Sequence, residues 1–386
     1  MASFRPSASV RRFPVDGGLL LLDQLTNRLF AYNETARHVW ELIGSGRVGD
    51  ELASEFAQAW KIPLQLARND VESILALWRM QGLLTTGETQ SRSPAPATGA
   101  GTAGDELPKP PPCASEWTCT ISKTTIAFAG EPELTAPIRA MLAHLETPGA
   151  APVARIEIRN NTGTQKLLIV DGAERLRTSE DALLVGGLWQ TVLERVHPDA
   201  KWLALVHGAA VARDGRALAL CGPSGSGKST LTAALTGAGF DFLADDLVAV
   251  SAPDAAIKPW PVPISIKSGS FDAVTQHRPE LAWAATYHTK GVEARLLVPP
   301  LPAWESEPVR LRRLLFPHFR QGAAPQLSRL TTFEALERLL KDRIWLGFPI
   351  TADRVNALLA VLNDTPAYAA TYGALADGIR MVENIV

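Results

Sequence analysis

Residues 222–229 read GPSGSGKS and Thr230 follows, so every fixed position of the pattern G-x-x-x-x-G-K-[ST] is filled. In such a loop the glycines turn consecutive backbone N–H groups toward a chain of phosphates, the lysine adds a point charge, and the final hydroxyl ligates Mg²⁺. Residues 217–221 (ALALC) form an apolar run typical of a buried central strand, and residues 229–238 suit a helix. Because a strand and a helix flank it, a phosphate-binding loop is favoured over a chance glycine-rich turn.

The motif predicts ATP and Mg²⁺ as cofactors, with Ser229 as a metal ligand and Lys228 at the reacting phosphate. The residues expected to hold the nucleotide are Gly222, Pro223, Ser224, Gly225, Ser226, Gly227, Lys228, Ser229 and Thr230.

Length and composition limit the class of protein. The 386 residues predict two or three domains, and a net charge of −2 favours neither nucleic acid nor an anionic membrane as a partner. The start, MASFRPSASVRRF, has no apolar core like a signal peptide's, and no run approaches the length of a membrane span. The cysteines have no metal-site spacing, so we expect a reduced, cytoplasmic protein; they are Cys113, Cys119 and Cys221.

A stretch with SPAPATGAGTAG and PKPPP has the composition of a linker, part flexible and part extended. It divides the chain into a module at 1–88, a linker at 89–115 and a larger unit at 116–386. We expect the larger unit to consist of a leading segment (116–200), a nucleotide-binding core (201–300) and a C-terminal packing segment (301–386).

The first module has the pattern of a small α+β, winged-helix-like unit. Strand-like segments lie at 10–15, 19–22 and 28–32, and Asn33 is a plausible N-cap for the first of three amphipathic helices. Residues 83–84 are expected to close the sheet.

The segments YNETARHVWELI, DELASEFAQAW and ARNDVESILALWRMQGLL resemble pyrroloquinoline-quinone biosynthesis protein D (PqqD) over about residues 4–86. The resemblance implies that the leader of a ribosomally made precursor peptide adds as a strand beside the third strand and packs on the third helix. The implied surface is residues 28–32 and 68–79, without catalytic residues. The alternative is that Val71, Ile74 and Leu75 belong to the core of the module.

DNA binding is the other alternative for a winged-helix-like unit. Residues 1–88 carry 9 Lys and Arg against 10 Asp and Glu, so the module lacks a basic footprint. The sequence therefore predicts no nucleic-acid partner.

Residues 240–244 (FDFLA) read as a strand that ends in Asp245 and Asp246, 16 and 17 residues after Ser229. Phosphoryl transfer needs one group that accepts the proton of the attacking hydroxyl and one that helps to hold Mg²⁺, and adjacent aspartates at a strand end can do both. The alternative is a solvated turn. Residues 167–171 (LLIVD) resemble the same kind of strand but precede the loop, and the sequence Asp-Gly at 171–172 favours a hairpin instead.

His207-Gly208, the loop and Ala-Asp-Asp follow one another in an order that resembles the HPr kinase family, which has an α/β phosphate-loop core of the phosphoenolpyruvate-carboxykinase type. The likeness covers about residues 200–250. It implies that Asp245 is the catalytic base, that Asp246 assists with metal, and that His207 lies by the reacting phosphate. A satisfied structural histidine is the alternative for His207.

The sequence departs from that family after the aspartates. The signature Glu-Ile-Arg-Gly is replaced by PWPVPISIK at 259–267, and the usual N-terminal domain is absent, so phosphocarrier HPr is not the implied substrate. The pattern is more similar to HPr-kinase-related proteins of peptide-modifying systems, including kinases of lasso precursor peptides. Lys267 and the basic run Arg310, Arg312 and Arg313 suit either a phosphate or a solvated face.

The sequence therefore predicts an ATP-dependent kinase that phosphorylates a serine hydroxyl on a precursor peptide held by the first module. The linker sets the effective concentration of that peptide. Three alternatives stay open: a small-molecule or sugar kinase with a regulatory N-terminal domain, a non-catalytic nucleotide-gated peptide chaperone, and a DNA-binding regulator. Whether the protein forms a homo-oligomer also stays open.

Overall fold

The computed structural model describes residues 4–86, 115–161, 163–289, 291–298, 309–342, 344–347 and 349–386. The predicted linker therefore lies, except for its last residue, outside the described residues. In the described part of the chain, no helix is long and apolar enough to cross a membrane.

The N-terminal module, residues 4–86, has five strands and three helices. They are β1 (Phe4–Pro6), β2 (Val10–Val15), β3 (Gly18–Asp23), β4 (Arg28–Asn33), α1 (Glu34–Gly44), α2 (Gly49–Trp60), α3 (Leu64–Met80) and β5 (Leu84–Thr86). Strands β2, β3 and β4 form an antiparallel sheet in that order, and Asn33 caps α1 by accepting the Ala36 N–H at 3.0 Å. The expected strand at 83–84 does not close this sheet, because β5 pairs instead with β1 in a separate two-stranded sheet.

The sheet of the N-terminal module is covered on both faces. Leu19 and Leu21 pack among the helices of the module, whereas Leu20 and Leu22 belong to the large hydrophobic cluster of the remaining chain. Gly18 permits this contact, since a Cβ there would lie 2.2 Å from the ring of Phe333. The module is therefore packed onto the C-terminal segment and does not depend on the linker alone for its position.

The leading segment folds around a five-stranded sheet in the order β10-β9-β8-β7-β6, in which only β7 and β8 are parallel. Its elements are β6 (Ser115–Ile121), β7 (Thr124–Gly130), α4 (Pro132–Leu142), β8 (Ala154–Asn160), β9 (Lys166–Val170), β10 (Ala173–Thr178) and α5 (Asp181–Val196). The hairpin predicted at 171–172 is confirmed, because Asp171 and Gly172 have φ values of 51° and 84° between antiparallel β9 and β10. Asp171 is therefore a turn residue.

The largest sheet has ten strands, with eight in the order β14-β12-β13-β20-β16-β15-β11-β22, β23 beside β20, and β21 beside β23. The strands are β11 (Trp202–Val206), β12 (Gly208–Arg213), β13 (Arg216–Cys221), β14 (Asp241–Ala244), β15 (Val248–Ser251), β16 (Ala256–Lys258), β20 (Val309–Phe319), β21 (Gln326–Leu330), β22 (Ile344–Trp345) and β23 (Ala367–Tyr372). A smaller sheet lies beside it in the order β17-β19-β18, with β17 (Ile264–Lys267), β18 (Thr286–Thr289) and β19 (Val292–Leu297).

Strand β13 is central and buried, as its apolar sequence predicts. Leu218 and Leu220 pack in a cluster with the helix that follows the glycine-rich loop, and alternate residues of β13 face the large cluster on the other side. The remaining helices are α6 (Lys228–Gly237), α7 (Phe271–Thr275), α8 (Thr332–Lys341), α9 (Ala352–Asp364) and α10 (Leu375–Glu383). The loop 222–227 thus joins a rigid central strand to the N-terminus of α6.

Candidate functional site

The glycine-rich loop has a backbone that only glycine adopts readily at three positions. Gly222, Gly225 and Gly227 have φ values of 136°, 88° and 100°. A Cβ on Gly227 would also lie 3.1 Å from Tyr372 Oη. With the N-terminus of α6 directly behind it, this loop presents backbone N–H groups of the kind that bind anions.

Lys228 is buried and points back into the loop. Its Nζ donates to the carbonyl oxygen of Gly222 and, at 3.2 Å, to that of Pro223. Burial lowers the pKa of Lys228, and the nearby carboxylates of Asp342 and Asp245 oppose that change. The Lys228 ammonium group therefore binds carbonyl oxygens in this structure, and an anionic ligand in the loop would attract it.

Asp245 joins the loop to the strand end that carries the two aspartates. Its side chain is 2% exposed; Oδ1 accepts from Ser229 Oγ at 3.0 Å, and Oδ2 accepts from the N–H of Ser265 at 3.3 Å. Burial, and then repulsion from Asp246, raises the pKa of Asp245 to about 7. A carboxyl with such a pKa can take up a proton near neutral pH.

Asp246 and His207 lie together at the surface of the same site. The Asp246 side chain is 59% exposed, and its Oδ1 lies 3.4 Å from Nε2 of His207. Asp246 has a φ of 67°, in the left-handed region, which aspartate tolerates better than most residues. The two adjacent aspartates thus face different partners: Asp245 faces Ser229, and Asp246 faces His207.

Two residues of the site have no signal in the sequence. Asp342 accepts the N–H of Gly222 at 2.9 Å and lies 3.4 Å from Nδ1 of His207. The Tyr287 hydroxyl lies 2.6 Å from Ser265 Oγ, and burial raises the pKa of Tyr287. Both stand far along the chain from the loop, so only the tertiary fold brings them to it.

The other basic residues singled out by sequence divide into two groups. Lys267 reaches the loop, with Nζ 3.5 Å from Ser224 Oγ. Arg310 pairs instead with Asp254 at 3.0 Å, and Arg313 donates to the carbonyl oxygen of Ile385 at 2.8 Å. Arg310 and Arg313 therefore bind groups elsewhere on the protein and not the glycine-rich loop.

Buried hydroxyls suggest how the loop fits a phosphate ligand. In the described residues, Ser226 Oγ and Tyr372 Oη are buried without a hydrogen-bond partner. No group of three or more His, Cys, Asp or Glu side chains in this part of the chain is arranged to hold a metal by itself. The oxygen atoms of Ser229, Asp245 and Asp246 are ligands of the kind that Mg²⁺ prefers, and an Mg²⁺ ion that accompanies a nucleotide takes one or two protein ligands and fills the rest with phosphate and water.

The N-terminal module carries a second candidate surface, the edge strand β4, which α8 also contacts. In the described chain β4 pairs only with β3, and Tyr32 contacts Trp78 and Gln81 of the α3 region. Leu77 lies four residues before Gln81, on the same side of the helix, and is 39% exposed. An extended segment placed beside β4 would therefore lie along this side of α3.

The expected helix face at 68–79 is not uniform. Val71 is buried, and Ile74 and Leu75 are partly buried but pack against the same hydrophobic cluster, so all three contact the core of the module as the core alternative predicts. Val71 and Leu75 also line a cavity of 340 Å³ between α1, α2 and α3. The two sides of α3 therefore offer different apolar surfaces.

Comparison with known proteins bears on the N-terminal module. Residues 18–84 match the family model for coenzyme PQQ synthesis protein D (PqqD). These residues form a PqqD domain. Two solved structures are similar to a part of the chain, TbiB1 in complex with the TbiA(beta) leader peptide and lasso peptide synthetase B1 complexed with the leader peptide. Each is 19% identical, covers 22% of this chain and 99% of its own, and has a TM-score of 0.21. No curated protein matches the chain.

Proposed function

We propose that this protein uses Mg-ATP to phosphorylate a serine hydroxyl on a ribosomally made precursor peptide that the PqqD domain holds. The observation that carries the proposal is the contact between Ser229 of the glycine-rich loop and the buried carboxyl of Asp245, 3.0 Å apart. This contact joins a phosphate-binding loop to a proton acceptor, which are the two parts that phosphoryl transfer needs.

The nucleotide is proposed to lie along residues 222–230. The N–H groups at the start of α6 face its phosphates, and Lys228 exchanges the carbonyl oxygens of Gly222 and Pro223 for phosphate oxygens. Ser229 and Asp246 are the proposed Mg²⁺ ligands, and Asp246, which faces His207 in this structure, would turn toward Ser229 to complete the pair. When bound, Mg²⁺ neutralises charge on the phosphates that react and leave.

Asp245 is the proposed catalytic base. The oxygen of the substrate hydroxyl forms a bond to the γ-phosphorus, the bond from that phosphorus to the β–γ bridging oxygen breaks, and the hydroxyl proton passes to Asp245. A pKa of about 7 lets Asp245 be unprotonated before the reaction and still hold a proton after it. Catalysis then depends on positioning and charge, without a covalent enzyme intermediate.

The leader of the precursor peptide is proposed to add to the edge strand β4 as a fourth strand, with residues 28–32 as its neighbour and residues 68–79 as the helix beside it. Backbone hydrogen bonds along β4 would supply affinity, and exposed side chains such as Leu77 would supply selectivity. Because the sheet also packs on the C-terminal segment through Leu20 and Leu22, the peptide is positioned by packing as well as by the linker.

Intact-mass analysis tests the transfer step. A precursor peptide encoded beside this protein is incubated with ATP and Mg²⁺, and a gain of one phosphate is expected. Lys228→Ala and Asp245→Asn abolish the gain, whereas Arg310→Ala, which alters a pair remote from the loop, keeps it. If the peptide binds but stays unmodified, the protein is a nucleotide-gated chaperone; if only a small molecule is phosphorylated, the PqqD domain is regulatory.

Peptide affinity tests the binding surface separately. Leu77→Glu places a charge beside β4 and is expected to weaken leader binding at least tenfold. Leu66→Glu is the matched control, because Leu66 is also exposed on α3 but lies outside residues 68–79. Fluorescence anisotropy with a labelled leader peptide measures the affinity of each variant. Equal affinities for the two variants would show that the leader does not bind beside β4 and Leu77.

A further inference from the structure

Asp342 lies at a position where a carboxylate needs hydrogen-bond donors to be stable. It directly follows α8 and forms its C-cap, so its negative charge adds to the negative end of the helix dipole. Its side chain is only 13% exposed, which reduces the help that water can give. A carboxylate in this place is unfavourable unless donors face it.

Three groups of the nucleotide site face this carboxylate. Oδ2 accepts the N–H of Gly222, the first residue of the glycine-rich loop, at 2.9 Å. Oδ1 lies 3.4 Å from Nδ1 of His207, and the charge of Lys228 is attracted to the same carboxylate. One side chain therefore connects the end of β13 with the residue that joins β11 to β12.

His207 lies between two carboxylates. Its Nδ1 faces Asp342 and its Nε2 faces Asp246, each at 3.4 Å. These distances are longer than an optimal hydrogen bond, as is common in sites that tighten when substrate binds. Because Asp342 faces Nδ1, a hydrogen bond between them determines which ring nitrogen carries the proton. It thereby determines whether Nε2 presents a lone pair or a proton to Asp246.

We infer that Asp342 is a positioning residue, which accepts the N–H of Gly222 and the Nδ1–H of His207 at the same time and so fixes the start of the loop and the orientation of the imidazole. The effect on turnover rests on the proposed kinase function. The placement of the proton on Nδ1 does not.

Asp342→Asn separates the two contacts. The asparagine side chain has one acceptor oxygen and one NH₂ donor. With its oxygen on the N–H of Gly222, its NH₂ faces Nδ1 of His207, which must then carry a lone pair, and the proton moves to Nε2. Asp342→Ala removes both contacts. The matched control is Asp364→Asn, an exposed aspartate at the end of α9.

The test is long-range ¹H–¹⁵N NMR on the full chain with labelled histidines, with His207→Gln used to assign the His207 signal among the seven histidines. We expect Nδ1 of His207 to be protonated in the parent and in Asp364→Asn, and unprotonated in Asp342→Asn. An unprotonated Nδ1 in the parent, or the same His207 spectrum in Asp342→Asn, overturns the inference.

Measurement of nucleotide binding distinguishes a failure of this inference from a failure of the proposed function. With mant-ATP and Mg²⁺ as the probe, we expect Asp342→Asn to bind within about twofold of the parent, since the Gly222 contact remains, and Asp342→Ala to bind at least fivefold more weakly. ATP turnover falls at least tenfold in Asp342→Asn. Absence of nucleotide binding in the parent refutes the kinase proposal, whereas the NMR result still decides whether Asp342 positions His207.

Discussion

The buried carboxyl of Asp245 destabilises the folded protein by an amount that depends on pH, and a single substitution can remove this destabilisation. The residue is 2% exposed, and burial followed by repulsion from Asp246 raises its pKa from 3.8 to about 7. Between these two values the unfolded chain has lost the proton while the folded chain keeps it, so stability falls as pH rises from about 4 to about 7. Above pH 7 the full cost remains, on the order of 4 kcal/mol at about 1.4 kcal/mol per pH unit.

Asp245→Asn is neutral at every pH and can keep both contacts. Its amide oxygen accepts the N–H of Ser265, and its NH₂ donates to the Ser229 hydroxyl, which is able to accept. We expect the free energy of unfolding to rise relative to the parent, and the gain at pH 8 to exceed the gain at pH 4.5 by about 3 kcal/mol. The variant is therefore expected to become more stable at pH 8 while it loses the proposed transferase activity.

Thermal unfolding of nucleotide-free protein at pH 4.5 and pH 8, followed by circular dichroism, measures this difference. A midpoint about 5 °C higher than the parent's is expected at pH 8, with a much smaller change at pH 4.5. Asp246→Asn is the comparison, because Asp246 is mostly exposed: it relieves the repulsion on Asp245 and also removes the carboxylate charge that faces His207. Equal gains at the two pH values would refute the argument that a buried charge causes the effect.

Three further outcomes are expected. Gly18→Ala places a Cβ 2.2 Å from the ring of Phe333, so it should cost about 2 kcal/mol or more and speed proteolytic release of the N-terminal module, whereas Gly44→Ala, with nothing within 4 Å, should not. Arg310→Ala should leave nucleotide affinity unchanged in a mant-ATP titration, because Arg310 pairs with Asp254 away from the loop. Tyr372→Phe should leave the thermal midpoint of the nucleotide-free protein unchanged or slightly higher, since it removes a buried hydroxyl without a partner in the described chain. The same variant should bind mant-ATP more weakly, because the proposed phosphate site loses that hydroxyl donor.

Local patterns were sufficient for most elements of the N-terminal module and for the elements around the loop. Alternating and helical periodicities predicted the strands 10–15, 19–22 and 28–32 and the helices after Asn33, because side-chain period and capping act over a few residues. The expected strand at 83–84 was placed in the wrong sheet, because pairing between strands at opposite ends of a module depends on where α3 delivers the chain.

The sequence by itself determined the glycine-rich loop, the position of the aspartate pair behind it and the PqqD domain, since each is a pattern of neighbouring residues with a direct steric or chemical cause. Only the tertiary structure decided that Asp245 faces Ser229 while Asp246 faces His207, and that α8 brings Asp342 to the loop. The same helix packs its first turn on Gly18 of the N-terminal module. The contacts of Asp342 with Gly222 and of Phe333 with Gly18 join residues more than a hundred positions apart. Burial of shared apolar surface, which has no local signature, is what brings such residues together.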